Sequence, residues 1–238
     1  MMTSLEQTGP CTSRQLVPEA VRLIKELGVF KEPTGIWAFT DKKKASSCYI
    51  HHSRTAVAVA AYAAIDPVFA TGRVPNYALV DLVLKISCMD AIESTALAVI
   101  CGAEPPVFSS AAQRGEIFGK TAWQIVNDYG LESCFKEVRP YGDEGRHYTM
   151  RPQGIDYENS KPIPELMMAM RKSYRSMEPA QRIMVLTLLH LYLQERDKIF
   201  LIGGCPTEIL AVEALEALRQ DSQALKTWAK LVSHYAGW

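Results

Sequence analysis

Residues 76–101 read NYALVDLVLKISCMDAIESTALAVIC, with Leu79, Val80, Leu82, Val83, Ile86, Ile92, Ala96, Leu97 and Ile100 recurring at helical spacing. Gly102 and Pro105 end the pattern. This is the longest periodic stretch in the chain, and it predicts the spine of a mainly α protein, with a kink near Ser87.

Upstream, Ser53 is a capping residue for an alanine-rich helix over residues 54–65. Before it, Pro18 and Gly28 bracket a helix whose Val17, Ala20, Val21, Ile24 and Leu27 share one face. Downstream, residues 110–129 continue the helical pattern through Ile117, Phe118, Ala122, Ile125 and Val126, closing at Gly130. Pro164 and Pro179 each suit the first turn of a helix, residues 183–193 are apolar nearly all round, and Thr207 and Ser222 are caps for two final helices.

Two regions break the helical period. Residues 36–40 and 46–50 are short, bounded by turn formers and joined by a lysine-rich connector, which predicts one hairpin. Residues 134–139 and 146–151 flank Pro-Tyr-Gly-Asp-Glu-Gly and predict a second. Residues 152–164, with three prolines and few large aliphatics, read as a long loop or linker. The expectation is an irregular helical bundle with two short β-hairpins. A boundary near 160 divides it into units 1–160 and 161–238, either separate or packed as one.

The chain has 238 residues, 48% hydrophobic and 22% charged, enough to bury a large core without staples. Lysine plus arginine equal aspartate plus glutamate at 26 each, so any attraction to a polyanion must be local. The first fifteen residues are polar and lack the pattern of a secretory signal, and no run of about 20 apolar residues occurs. The six cysteines stand apart from one another. These features predict a cytoplasmic protein with reduced thiols, no membrane partner and no cofactor.

The strongest chemical signal is the lysine tip Lys42, Lys43 and Lys44, followed by Tyr49, His51, His52 and Arg54. Ammonium groups on a hairpin tip can follow a phosphate backbone, gaining affinity by counterion release. The second hairpin repeats the composition with Arg139, Tyr141, Arg146, Tyr148 and Arg151, and with His147 among them. Arginine and tyrosine together clamp phosphates and stack on exposed bases. The expectation is a nucleic-acid-binding subunit, for DNA or RNA, within a larger prokaryotic-type assembly of other protein subunits, for example an RNA-guided effector. The bland alternative for each hairpin is a solvated turn, its lysines guarding strand edges or its arginines pairing with Asp143 and Glu144.

Two readings compete. Met167, Met168, Met170, Met177 and Met184 suit the adaptable surface of a helical adaptor or regulatory protein, or ordinary core filling. Cys48, His51 and Asp41 could form a thiol-imidazole enzyme, and Cys48 with His51 or His52 offers metal ligands, but no second close pair completes a zinc tetrahedron. No catalytic residue and no metal site is therefore assigned. Residues 115–121 do not form a phosphate-binding loop, because Arg114 stands where its first glycine belongs and no strand precedes it. Residues 199–204 would present amides to an anion if a helix opened at Thr207. His190 reads as a core histidine, His234 as a surface or capping one, and Trp37, Trp123 and Trp228 as core or interface anchors.

Overall fold

The computed structural model describes residues 13–34, 37–39, 57, 78–108, 110–138, 149–193, 197–235 and 237. They form helices α1 (Ser13–Glu26), α2 (Leu79–Ser87), α3 (Ala91–Ile100), α4 (Ala111–Asp128), α5 (Pro164–Ser176), α6 (Pro179–Leu193), α7 (Asp197–Phe200), α8 (Ala211–Gln220) and α9 (Ser222–Ser233). Three two-stranded antiparallel ribbons accompany them: β1 (Val29–Lys31) with β2 (Trp37–Phe39), β3 (Phe135–Glu137) with β4 (Met150–Pro152), and β5 (Ile155–Asp156) with β6 (Lys161–Pro162). The fold is mainly α with minor β character.

Residues 76–101 do not form one kinked helix. They form two, because Asp90 accepts a hydrogen bond from the Glu93 amide at 2.8 Å while the Glu93 carboxylate accepts one from the Asp90 amide at 3.0 Å. This reciprocal cap satisfies two amides that a helix start leaves orphaned, so a new helix begins there. Cys88 and Met89 close α2 with amide bonds to Lys85 and Ile86.

The N-terminal helix runs through Pro18 rather than opening at it. Its buried stripe is Leu16, Ala20, Leu23, Ile24 and Leu27, with Val17 and Val21 half-buried at the margin. Burial of that stripe against α3 offsets the hydrogen bond an internal proline removes. After Gly28 the chain turns into β1, whose partner is β2 in the register Val29↔Phe39, Phe30↔Ala38 and Lys31↔Trp37. The first hairpin was expected to join residues 36–40 to 46–50. Residues 37–39 of its first arm pair with the upstream β1, while 46–50 and the helix expected over 54–65 lie outside the described residues, apart from helical, buried Val57.

The centre of the core is α9, which packs against α2, α3, α4 and α8. Its Trp228 is fully buried, and the indole Nε1 donates to Thr187 Oγ1 of α6 at 3.0 Å. The large apolar ring thus sits in the interior without an orphaned donor. On its other side α6 packs against α2, α7 and α8, so residues on both sides of position 160 share one core.

Pro164 and Pro179 do open α5 and α6, and Ser110 caps α4 by accepting from the Gln113 amide at 3.1 Å. Two expected caps shift. The cap of α9 is Asp221, one residue before Ser222, and its carboxylate accepts from the Gln223 amide at 2.8 Å. Thr207 caps nothing: α8 begins at Ala211, where the Leu79 amide donates to the Ile209 carbonyl at 2.7 Å and an Ala78↔Leu210 bridge ties the starts of α2 and α8 together.

Residues 152–164 were expected to be a loop and instead complete β4 and form the β5–β6 ribbon. Gly154 has φ +95°, and the Met167 side chain occupies the place its Cβ would take. Only glycine combines that backbone with so close an approach. The Ile163 amide then donates to the Gly154 carbonyl at 2.8 Å, which delivers the chain into α5.

Candidate nucleic-acid interface

The second ribbon is where sequence expectation and described structure meet. Its approach is set at the end of α4, where Gly130 has φ +62° and the Leu131 amide donates to the Val126 carbonyl at 2.8 Å. Leu131, Cys134 and Phe135 are buried, which pins the start of β3 to the core. The strands pair as Phe135↔Pro152, Lys136↔Arg151 and Glu137↔Met150, and the Val138 amide donates to the Thr149 carbonyl at 2.7 Å. The chain therefore leaves for residue 139 and returns from residue 148 at one place.

Alternation along the strands separates two kinds of side chain. Phe135, Met150 and Pro152 are buried on one face, while Lys136 and Arg151 lie directly opposite each other on the other, both half-buried. Like charges at directly opposed positions are unfavourable. Each is held by a contact of its own. Lys136 Nζ donates to the Ile155 carbonyl at 2.8 Å and lies 5.2 Å from the centre of the Tyr157 ring, a cation–π contact. Arg151 Nη1 donates to the Met150 carbonyl at 2.8 Å.

Tyr157 and Tyr192 complete the surroundings of Arg151. Burial pushes the Tyr157 hydroxyl up to about 12, opposed by the Arg151 charge, and the hydroxyl donates to the Pro152 carbonyl at 2.9 Å. Burial also raises Tyr192, again against the pull of Arg151. Beneath the cations, the Asp156 carboxyl is held below its usual range by hydrogen bonds from Asn159 and by the Lys136 charge.

The base is braced from below. The Gln153 amide donates to the Cys134 carbonyl at 2.7 Å, and Ser133 Oγ and Ser173 Oγ of α5 are 2.7 Å apart. With Met167 seated on Gly154, these contacts fix the ribbon to both α4 and α5. The base of the ribbon is thereby held on a rigid scaffold.

Of the residues expected to touch nucleic acid, Arg151 stands at this base. Lys42, Lys43, Lys44, Tyr49, His51, His52, Arg54, Arg139, Tyr141, Arg146 and Tyr148 lie outside the described residues, as do His147, Asp41 and Cys48. Lys136 and Tyr157 were not anticipated. The alternation Phe135, Lys136, Glu137 holds the signal for Lys136, but only the strand register puts it opposite Arg151.

The other sequence candidates resolve as follows. Lys120 is exposed on α4 and paired with Glu116 at 2.6 Å, as a helix-surface residue should be. The hydrogen bond and charge of Lys120 hold the Glu116 carboxyl below its ordinary range. No anion cradle follows residues 199–204, since no helix opens at Thr207. His190 is buried in α6. His234 caps α9 with Nδ1 2.8 Å from the Lys230 carbonyl, but it is buried rather than on the surface. Met167, Met170, Met177 and Met184 are buried in the core, and Met168 is exposed. Among the described residues no group of three His, Cys, Asp or Glu side chains is placed to hold a metal, and no helix is long and apolar enough to cross a membrane.

No known protein family matches the chain, and neither does any curated protein or solved structure.

Proposed function

We propose that this chain is a cytoplasmic nucleic-acid-binding subunit of a larger prokaryotic-type protein assembly, such as an RNA-guided effector. It contacts the phosphate backbone of DNA or RNA through its basic-aromatic ribbons. The observation that carries the reading is the like-charged pair Lys136 and Arg151 at the base of the β3–β4 ribbon. That pair stands at the foot of the segment containing Arg139, Tyr141, Arg146 and Tyr148. Cations at paired positions of two strands, with tyrosines beside them, offer a polyanion both charge and stacking surface. The neutral net charge suits a subunit whose partners share the binding surface. The free thiols Cys88, Cys101, Cys134 and Cys205 fit a reducing compartment.

The test is binding of labelled single- and double-stranded oligonucleotides across a salt series. Replacing Arg139 and Arg146 by alanine is expected to weaken binding and lower the magnitude of the log–log salt slope by about 1 for each lost phosphate contact. Replacing Lys42, Lys43 and Lys44 is expected to do the same. Affinity and slope unchanged by both sets would overturn the reading.

A further inference from the structure

Two tyrosines lie within reach of the Arg151 charge, and the fold treats them differently. Tyr192 packs on core Phe118, the ring centres 5.8 Å apart. Tyr157 takes no place among the described core residues, yet it is firmly held. It follows Asp156 into the turn between β5 and β6. There the Asp156 carboxylate accepts from the Glu158 amide at 3.0 Å, from the Asn159 amide at 3.2 Å and from Asn159 Nδ2 at 2.7 Å. The Tyr157 hydroxyl crosses to the other ribbon and donates to the Pro152 carbonyl at 2.9 Å, and Lys136 Nζ lies 5.2 Å from its ring centre. A half-buried aromatic side chain fixed in this way has already given up its rotamer freedom. A ligand that stacks on it is spared that cost.

The charges nearby decide which form of nucleic acid suits. Lys136 uses one ammonium donor on the Ile155 carbonyl at 2.8 Å, and Arg151 occupies the paired position on β4. The same two ribbons carry Asp156, whose carboxyl feels the Lys136 charge and whose register partner is Lys161, together with exposed Glu137 and Glu158. Duplex binding rests on rows of phosphate contacts, and a foot of mixed charge offers no such row. A single strand gains part of its affinity from base–aromatic stacking, whereas the bases of a duplex are already stacked on one another. We propose that the foot of the β3–β4 ribbon takes a single strand in preference to a duplex, one unpaired base stacking on Tyr157 and an adjacent phosphate accepting from Lys136. The inference deepens the nucleic-acid reading and rests on it.

The experiment uses the full chain and two short single strands, one DNA and one RNA, carrying 5-iodouracil, whose photolysis joins a base to an aromatic ring stacked on it. Each strand is also supplied as a duplex with its complement. The expected result is affinity about tenfold or more higher for one of the single strands than for its duplex, with the cross-link mapped by mass spectrometry to Tyr157. Tyr157→Leu should weaken single-strand binding about tenfold and leave the salt slope as it is, because a ring is lost and no phosphate contact. Tyr157→Phe keeps the ring without the hydroxyl and should bind like the unaltered chain. A tyrosine that merely braced the ribbon through its hydroxyl would lose as much with Phe as with Leu.

Duplexes bound as tightly as single strands would overturn the proposal. So would cross-links that avoid Tyr157, or single-strand affinity indifferent to Tyr157→Leu. The cross-link is read on the unaltered chain, so it holds even if a variant fails to fold. Lys136→Met, which removes the phosphate contact, should still lower the salt slope when stacking on Tyr157 fails, so loss of the single-strand inference and loss of nucleic-acid binding register separately. Should neither single strands nor duplexes bind, both fall.

Discussion

Helix α9 and the β3–β4 ribbon treat their polar groups in opposite ways. In α9 the indole of Trp228 enters the core with its single donor answered by Thr187, and the helix that carries it packs against four others. In the ribbon, Lys136 and Arg151 occupy paired positions on the two strands, and each donates to a backbone carbonyl. The first arrangement serves stability alone. The second gathers two half-buried cations and Tyr157 at the foot of one ribbon, which teaches where to look for a ligand: at polar groups that the core does not use.

The largest effect that would sharpen this contrast is at Trp228. Trp228→Ala is expected to cost about 3–5 kcal/mol, read from a denaturant melt. Thr187→Val, which leaves the buried indole N–H without its partner, should cost about 1–3 kcal/mol. Next is Gly154→Ala, expected to destabilise by about 1–3 kcal/mol because its positive φ and the seated Met167 both oppose a side chain. Adding Met167→Ala should recover only the steric part. Should Gly154→Ala prove neutral, the ribbon is not braced on α5 and the rigid-base account fails.

Asp90→Ala removes the reciprocal cap of α3 and is expected to cost about 1 kcal/mol, by the same melt. Lys136→Met should change stability by less than about 1 kcal/mol while lowering the salt slope of oligonucleotide binding by about 1. If stability falls as it does for Trp228→Ala, the ribbon belongs to the core and the contrast breaks. The smallest effect concerns His234, whose pKa is lowered chiefly by burial, against the Lys230 carbonyl contact that raises it. The unfolded chain then binds the proton more readily than the folded one. The stability this group contributes is present above the ordinary histidine range and is lost as pH falls through it. His234→Gln should flatten the pH dependence of the denaturation midpoint between about pH 7 and 5.

What could be read in advance depended on how local its cause was. Pro164, Pro179, Ser110 and Gly130 act within one turn of themselves, and the helix boundaries they mark are where the residues placed them. The division of residues 76–101 was also written locally, as Asp90-Ala-Ile-Glu93, but an apolar period continuing across it concealed the cap. Prolines made residues 152–164 look like a linker. Pro152 and Pro162 instead sit at the ends of β4 and β6, where a short edge strand tolerates a lost donor. The pairing of β1 with β2 rests on three residues a side and has no periodic signal. At the candidate site the composition pointed to cations and tyrosines, whereas the opposition of Lys136 to Arg151 and the approach of Tyr157 exist only once the register is set.

The interruption at Asp90 reaches further than its two hydrogen bonds. An unbroken helix from residue 79 to residue 100 would be a rod about 33 Å long, obliged to offer neighbours along a single axis. Cut at its middle, the same stretch becomes two short levers: α2 meets α6 and α8, while α3 takes α1 on one side and α9 on another. Helices α1 and α9, about two hundred residues apart in sequence, are thereby bolted to the same ten-residue helix, and loosening that joint should let both go together.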